Sequence, residues 1–491
     1  MVKKLAIFLT IIVAVLTSCN DRQKLSENLK QVSPDLDSIV KRGKLIALTD
    51  YNSTNYFIYR GEPMGFNYEL LKAFADHLGI DLEIVTENQI DKAFNMLNSG
   101  EADLLAYGLT VNSSRKKDIL FSDPIDATRQ VLIQRKPRSW RSMTIDDIDR
   151  RLVRNQTDLA HKSVYVQANS AYTERLRALS NEIGDTINVI EVPYDPEDLI
   201  KNVAKGEIDY TVCDENVAMV NSTYYPDIDI NTPVSFIQNI AWGVRKNNSA
   251  KLLAELNQWI DFYKRTGAYS VLYAKYFRNS QSESIVRSDY YYLNTGKISQ
   301  WDDLIKSASK SIKWDWRLLA SLICQESRFD PAVESGVGAY GLMQIMPYTA
   351  ESLGIDVKAS PAENVKAGTI FINMLQSYFE TKVSDPEERM KFILASYNAG
   401  PGHVLDAMKL AGKYGMDPQK WDGNVAVWLL KKSEPRYYND PVVSYGYFRG
   451  TESVNFVTEI LDRYEHYRNI VPDDARLSMV SGTASLGSPR K

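Results

Sequence analysis

The chain has 491 residues, long enough for two or three domains that each bury a core of their own. Charged residues make up 24% and the formal net charge is −4, so the basic surplus that grips nucleic acid is missing and no such partner is expected. Its 29 tyrosines and 8 tryptophans include rings able to stack on sugar faces, although most such rings serve ordinary cores and surfaces.

Residues 1–19 read as an export signal. Lys3 and Lys4 precede the apolar run Leu5–Leu16, whose twelve positions are too few to span a bilayer as a helix. The run ends in Leu16-Thr17-Ser18-Cys19, which resembles the lipobox of bacterial lipoproteins. That resemblance implies acylation at Cys19 and a lipid anchor in the cell envelope, at the periplasmic face of the outer membrane. Residues 20–41 are polar at first and read as a tether.

From residue 42 short strands and helices alternate. Lys44–Thr49 reads as a strand, Tyr68–Leu78 as a helix stopped by Gly79, and Leu82–Thr86 as a second strand, the pattern of α/β units on a largely parallel sheet. An internal echo follows: Gly100-Glu101-Ala102-Asp103 and Gly206-Glu207-Ile208-Asp209 each sit between a helical and a strand pattern, which suggests two similar lobes. Within residues 42–279, Gly65-Phe66-Asn67-Tyr68-Glu69-Leu70, Leu109-Thr110 with Arg115, and Phe121-Ser122-Asp123-Pro124 resemble elements of the family-3 extracellular solute-binding proteins. The resemblance implies a two-lobed fold of the periplasmic binding-protein type. Arg115 would grip an α-carboxylate, Thr110 would add a hydroxyl, and Asp214 would take an α-amino group. The lobes are expected to join near Ile133-Gln134-Arg135 and Ala241-Trp242-Gly243, with hinge closure around the ligand. Cys213 and Cys324, which fall in different predicted domains, read as buried free thiols.

A polar linker, residues 280–296, leads to a mainly helical segment, 297–471. Ser299 with Asp302 predicts a helix opening at Gln300. Asp315 can cap the next helix, whose apolar stripe Leu318, Leu319, Leu322 and Ile323 continues onto Glu326. A carboxyl on an apolar face loses hydration, so its proton is retained closer to neutral pH, as a general acid requires. Helices are also predicted over 363–379, 386–398 and 403–410, and residues 472–491 read as a polar tail.

Glu326-Ser327-Arg328-Phe329, Gly341-Leu342-Met343-Gln344-Ile345-Met346-Pro347 and Ala395-Ser396-Tyr397-Asn398-Ala399-Gly400 together resemble the catalytic signature of lytic transglycosylases with the goose-type lysozyme fold. This implies that Glu326 is the single catalytic acid and base. Ser335, Gln344 and Met346 would line a glycan groove, Tyr397 would hold the carboxyl or the sugar, and Asn398 would brace the loop. Glu452 matches the acid of a further family element, but Val454 and Phe456 stand where that element has arginine and tyrosine; Tyr445 and Tyr447 are alternative sources of a hydroxyl.

The whole arrangement resembles the membrane-bound lytic murein transglycosylase F group, whose implied activity is non-hydrolytic cleavage of peptidoglycan glycan strands, with an N-terminal domain sensing an amino acid or wall peptide. No metal and no cofactor are expected. The alternatives are a receptor whose C-terminal domain only binds peptidoglycan, and a hydrolytic lysozyme.

Overall fold

The computed structural model describes residues 35–278 and 292–471; the export signal with Cys19, most of the tether, much of the linker and the 472–491 tail lie outside them. The described chain divides into two compact units. One holds residues 35–56 and 65–278; the other holds residues 292–471 together with the short segment 57–64.

In chain order the strands are β1 (Lys44–Thr49), β2 (Phe57–Tyr59), β3 (Glu62–Met64), β4 (Asp81–Thr86), β5 (Leu104–Thr110), β6 (Ile119–Phe121), β7 (Asp126–Thr128), β8 (Gln130–Arg135), β9 (Ser163–Gln167), β10 (Asn188–Val192), β11 (Tyr210–Asp214), β12 (Ile228–Pro233) and β13 (Gln238–Arg245). The first unit is built from two mixed sheets. One has the order β4-β1-β5-β13-β6 with β7 also on β13, and the other β10-β9-β11-β8-β12. In each, one strand (β1 or β9) runs parallel to both neighbours, and another (β13 or β8) runs antiparallel to its own.

The sequence echo has a structural cause. Helices Ile90–Ser99 and Pro196–Lys205 end at Gly100 (φ 87°) and Gly206 (φ 79°), left-handed caps that glycine adopts without a Cβ penalty, and each chain then turns into a strand, β5 or β11. The lobe crossings differ from expectation. They fall at Arg129, between β7 and β8, and at residues 234–237, between β12 and β13, so 133–135 form the end of β8 and 241–243 lie inside β13. The tether is also shorter than read. Asp35 caps a helix at Leu36–Arg42, and Ile39 is fully buried. The helix at Phe66–Leu78 buries Leu70, Leu71 and Phe74 and stops at Gly79 (φ 67°), as the pattern predicts.

The second unit is helical, apart from the β2–β3 hairpin, which it claims although the flanking residues belong to the first. Its main helices are Asp302–Ile312, Trp316–Ser327, Pro361–Glu380, Pro386–Ala399, Pro401–Lys413 and Thr451–Ile470. Local chemistry sets their starts. Asp315 accepts Arg317 N–H at 2.9 Å, Ser360 accepts Glu363 N–H at 3.2 Å, and Asp385 accepts Glu387 N–H at 2.8 Å. The first helix opens at Asp302 rather than Gln300, because the Asp302 carboxylate takes the Ile298 and Ser299 N–H groups at 2.9 and 2.8 Å. Residues 292–295, inside the expected linker, form a helical turn. One core, including Leu319, Leu322, Ile323, Phe392, Trp421 and Tyr467, runs through the unit, and Ile58 of the hairpin joins it. Among the described residues, no helix is long and apolar enough to cross a membrane.

Candidate active site

In the second unit the helix Trp316–Ser327 is buried along nearly its whole length, and Glu326 stands one residue before its end. The helix closes on Arg328 at φ 51°, with Phe329 at φ 65°, left-handed conformations unusual for such side chains. Glu326 is half-buried. Its carboxyl is pushed up to about 8, first by burial and then by the like charge of Glu452, which lies exposed in the first turn of Thr451–Ile470.

The Gly341–Pro347 segment is held from two sides. Asn364 accepts Met343 N–H at 2.9 Å and donates to Tyr340 O at 2.8 Å, and a Cβ on Gly341 (φ 78°) would meet its amide nitrogen at 2.4 Å. Tyr397 donates to Met343 O at 2.8 Å, and its ring packs on Phe371 at 5.4 Å between centroids. Burial and the neighbouring Glu326 charge push the Tyr397 hydroxyl well above its ordinary range, so it stays a neutral donor. These electrostatic couplings bring Glu326, Tyr397 and Glu452 into one neighbourhood.

The other expected residues divide. Met346 is 41% exposed, open to a ligand. Ser335 Oγ accepts Ala339 N–H at 2.9 Å, closing the loop. Gln344, at φ 45°, donates its amide to Val333 O (3.0 Å) and Gly341 O (2.9 Å), so it braces this turn and offers a ligand its side-chain oxygen rather than its NH2. Asn398 is exposed and accepts the Ser453 hydroxyl, joining two helices. Phe456 is buried core and Val454 packs beside it, whereas Tyr445 and Tyr447 are each 59% exposed. The loop carrying Tyr445 hangs on Asp406, which accepts Ser444 N–H (2.9 Å), Tyr445 N–H (2.8 Å) and the fully buried Lys432 ammonium (2.8 Å).

The first unit contains a cavity at the C-terminal ends of β1, β5, β9 and β11, where ligands sit in open α/β sheets. Arg115, Asp214 and Thr110 all line it and all are buried. Arg115 Nη1 donates to Thr110 O at 3.2 Å, and Tyr172 OH donates to Asp214 at 3.2 Å. Burial pushes the Asp214 carboxyl up to about 7, against the pull of Tyr172 and Arg115. Cys213 and Cys324 are buried free thiols. Among the described residues, no His, Cys, Asp or Glu group is arranged to hold a metal.

Residues 44–279 match the model of the bacterial extracellular solute-binding proteins, family 3, and residues 303–419 that of the transglycosylase SLT domain. The membrane-bound lytic murein transglycosylase F of Desulfosudis oleivorans is 36% identical over 428 residues, which cover 87% of this chain and 90% of that protein. This chain belongs to the membrane-bound lytic murein transglycosylase F family. The family member of Pseudomonas fluorescens Pf-5 is 31% identical over 440 residues, 88% of this chain and 86% of its own. The crystal structure of the ancestral amino acid-binding protein AncCDT-1 matches 50% of this chain and 99% of its own, with 24% identity and a TM-score of 0.42.

In this transglycosylase F family member, sequence reasoning missed Asn364, Asp406 and Lys432. Asn364 and Asp406 were readable only as polar residues on otherwise apolar helical faces, a weak signal. Missed too were three further carboxylates in the first cavity, Asp50, Asp195 and Glu197. Of these only Asp195 carried a local sign, as the cap of a Pro-initiated helix.

Proposed function

We propose that this chain is a peptidoglycan lytic transglycosylase, a carbon–oxygen lyase that cuts the β-1,4 bond between N-acetylmuramic acid and N-acetylglucosamine without consuming water. The observation that carries the reading is the placement of Glu326, half-buried near the end of a buried helix beside Tyr397 and Glu452, where loss of hydration pushes its carboxyl up to about 8 and favours the protonated form. Glu326 gives that proton to the glycosidic oxygen as the bond to muramyl C1 breaks. The carboxylate left behind takes the proton of the muramyl C6 hydroxyl, whose oxygen closes on C1 to form the 1,6-anhydro end. One carboxyl serves as acid and then base, because the substrate supplies the nucleophile in place of the second carboxylate of ordinary glycosidases.

Tyr397, neutral and fixed on Met343 O, orients the carboxyl or the sugar. Met346 supplies apolar surface to the groove, Ser335 and Gln344 shape it, Asn398 braces its far wall, and Glu452 adds a like charge to the burial that holds the proton on the acid. The first unit senses an amino acid or wall peptide through Arg115, Thr110 and Asp214. Acylated Cys19 anchors the chain to the periplasmic face of the outer membrane.

Digesting purified sacculi and weighing the products tests the reaction. Anhydromuramyl fragments are expected, and their loss in Glu326→Gln. Reducing muramic ends would make the protein a hydrolase. Absence of soluble fragments would leave only a binder.

A further inference from the structure

The β2–β3 hairpin packs within the helical unit against the end of the helix that carries Glu326. Its turn has no room to spare there. Gly61 sits at φ 77°, and a Cβ on it would meet the Phe329 ring at 2.6 Å, the Tyr467 hydroxyl at 2.7 Å and the Cys324 sulfur at 2.8 Å. Cys324 and Phe329 bracket Glu326 in the chain, the one before it and the other after. The Cys324 sulfur also lies 3.9 Å from Arg60 O and from Glu62 Oε1.

The next hairpin residue, Glu62, joins two helices through one oxygen. Its Oε1 accepts Arg328 Nη1 at 3.1 Å, from the cap of Trp316–Ser327, and Arg463 Nη2 at 3.3 Å, from Thr451–Ile470. The pair with Arg328 is exposed and by itself worth little. Arg463 differs, because its side chain is 9% exposed and its Nη1 reaches Ser321 O on the Glu326 helix at 3.5 Å. Glu62 is thus the counter-charge of a buried guanidinium set between the helices that supply Glu326 and Glu452. Arg328 and Phe329 hold left-handed conformations (φ 51° and 65°), which such residues keep only where their surroundings impose them. Trp301 Nε1 donates to Phe329 O at 3.0 Å, and the hairpin adds Glu62 on the Arg328 guanidinium and Gly61 against the Phe329 ring.

We infer that Glu62 is a positioning residue for the reaction: with Gly61 it fixes the left-handed end of the Glu326 helix, and so the direction from which the acid meets the glycosidic oxygen. It acts through Arg328, Arg463 and Phe329 rather than on the sugar. This rests on the reading of Glu326 as the acid. A small misplacement of a proton donor costs rate far more than it costs binding, so the loss of Glu62 falls on kcat.

Glu62→Gln, Glu62→Asp, Gly61→Ala and Glu326→Gln, each in the full-length chain, would be assayed on soluble uncross-linked glycan strands across neutral and alkaline pH. Rates are counted per folded molecule, from near-ultraviolet circular dichroism. Glu62→Gln should lower kcat at least about tenfold with KM within about threefold. Its alkaline limb should move to lower pH by at least about half a unit, because a loosened helix end lets water reach Glu326. Glu62→Asp keeps the charge and should stand between Glu62→Gln and the wild type. Gly61→Ala should repeat the loss with the Glu62 charge intact, which separates displacement of the acid from the field of Glu62; if it does not fold, Glu62→Gln against Glu62→Asp still decides. A wild-type kcat per folded molecule in Glu62→Gln, or a loss confined to KM, overturns the positioning role and leaves the acid standing. A wild-type kcat in Glu326→Gln overturns the acid, and the positioning role with it.

Discussion

Replacing Glu326 by glutamine should remove activity and, at alkaline pH, make the protein more stable. The Glu326 carboxyl lies at about 8 in the folded chain against 4.5 for an ordinary glutamate, raised first by burial and then by Glu452. Between those values the folded state holds a proton that the unfolded state has released. Stability is therefore unaffected below about 4.5, falls as pH rises through the interval, and levels off above 8. The full displacement corresponds to at most about 5 kcal/mol, and because Glu326 is only half-buried a working value is about 1–3 kcal/mol. Glutamine keeps the shape and cannot ionise, so it escapes that loss. Urea unfolding of both proteins at pH 4, 7 and 9 should give a difference near zero at pH 4 that grows in favour of the variant towards pH 9. A difference that stays flat across the series would refute the account of a carboxyl kept protonated by its surroundings.

The same displacement fixes the pH dependence of the reaction. With its carboxyl at about 8 rather than 4.5, Glu326 is mostly protonated at pH 7, so kcat/KM for sacculus solubilisation should hold to about pH 8 and then fall about tenfold per pH unit. Glu452→Gln removes a like charge and should move that alkaline limb down by roughly half a pH unit, measured on the same turbidity assay. Tyr397→Phe deletes the bond to Met343 O and should lower activity about 10–100-fold, with a stability loss of about 1–2 kcal/mol in urea titration. Lys432→Met strands the buried Asp406 carboxylate and should destabilise the fold by about 3–5 kcal/mol, seen as a lower Tm.

Much of this molecule was legible because local rules set it. The Asp315 cap, the stripe leading to Glu326, the Gly79 stop and the paired Gly-Glu turns each depend on residues a few positions apart. Arg115 and Asp214 were singled out by motif, and both line one cavity although 99 positions separate them. What stayed hidden depends on partners far along the chain. Nothing near Gln344 announces that its amide is spent on Val333 O and Gly341 O. The Lys432–Asp406 pair joins two helices, and neither residue looks buried in its own stretch of sequence. The lobe crossings were misplaced by a few residues because where the chain changes lobe depends on which sheet each strand joins, β7 and β13 in one and β8 and β12 in the other, a long-range choice.

The hairpin at residues 57–64 makes the boundary at residue 280 incomplete as a place to divide the protein. Tyr467 donates to Gly61 O at 2.7 Å, Arg463 and Arg328 reach Glu62 at 3.3 and 3.1 Å, and Ile58 is wholly buried in the helical core. A fragment expressed from residue 292 onward would keep every motif residue of the lyase and still lack a counter-charge and a core side chain encoded more than two hundred positions earlier. Cutting the gene once therefore separates the lyase domain from a piece of its own core and charge network.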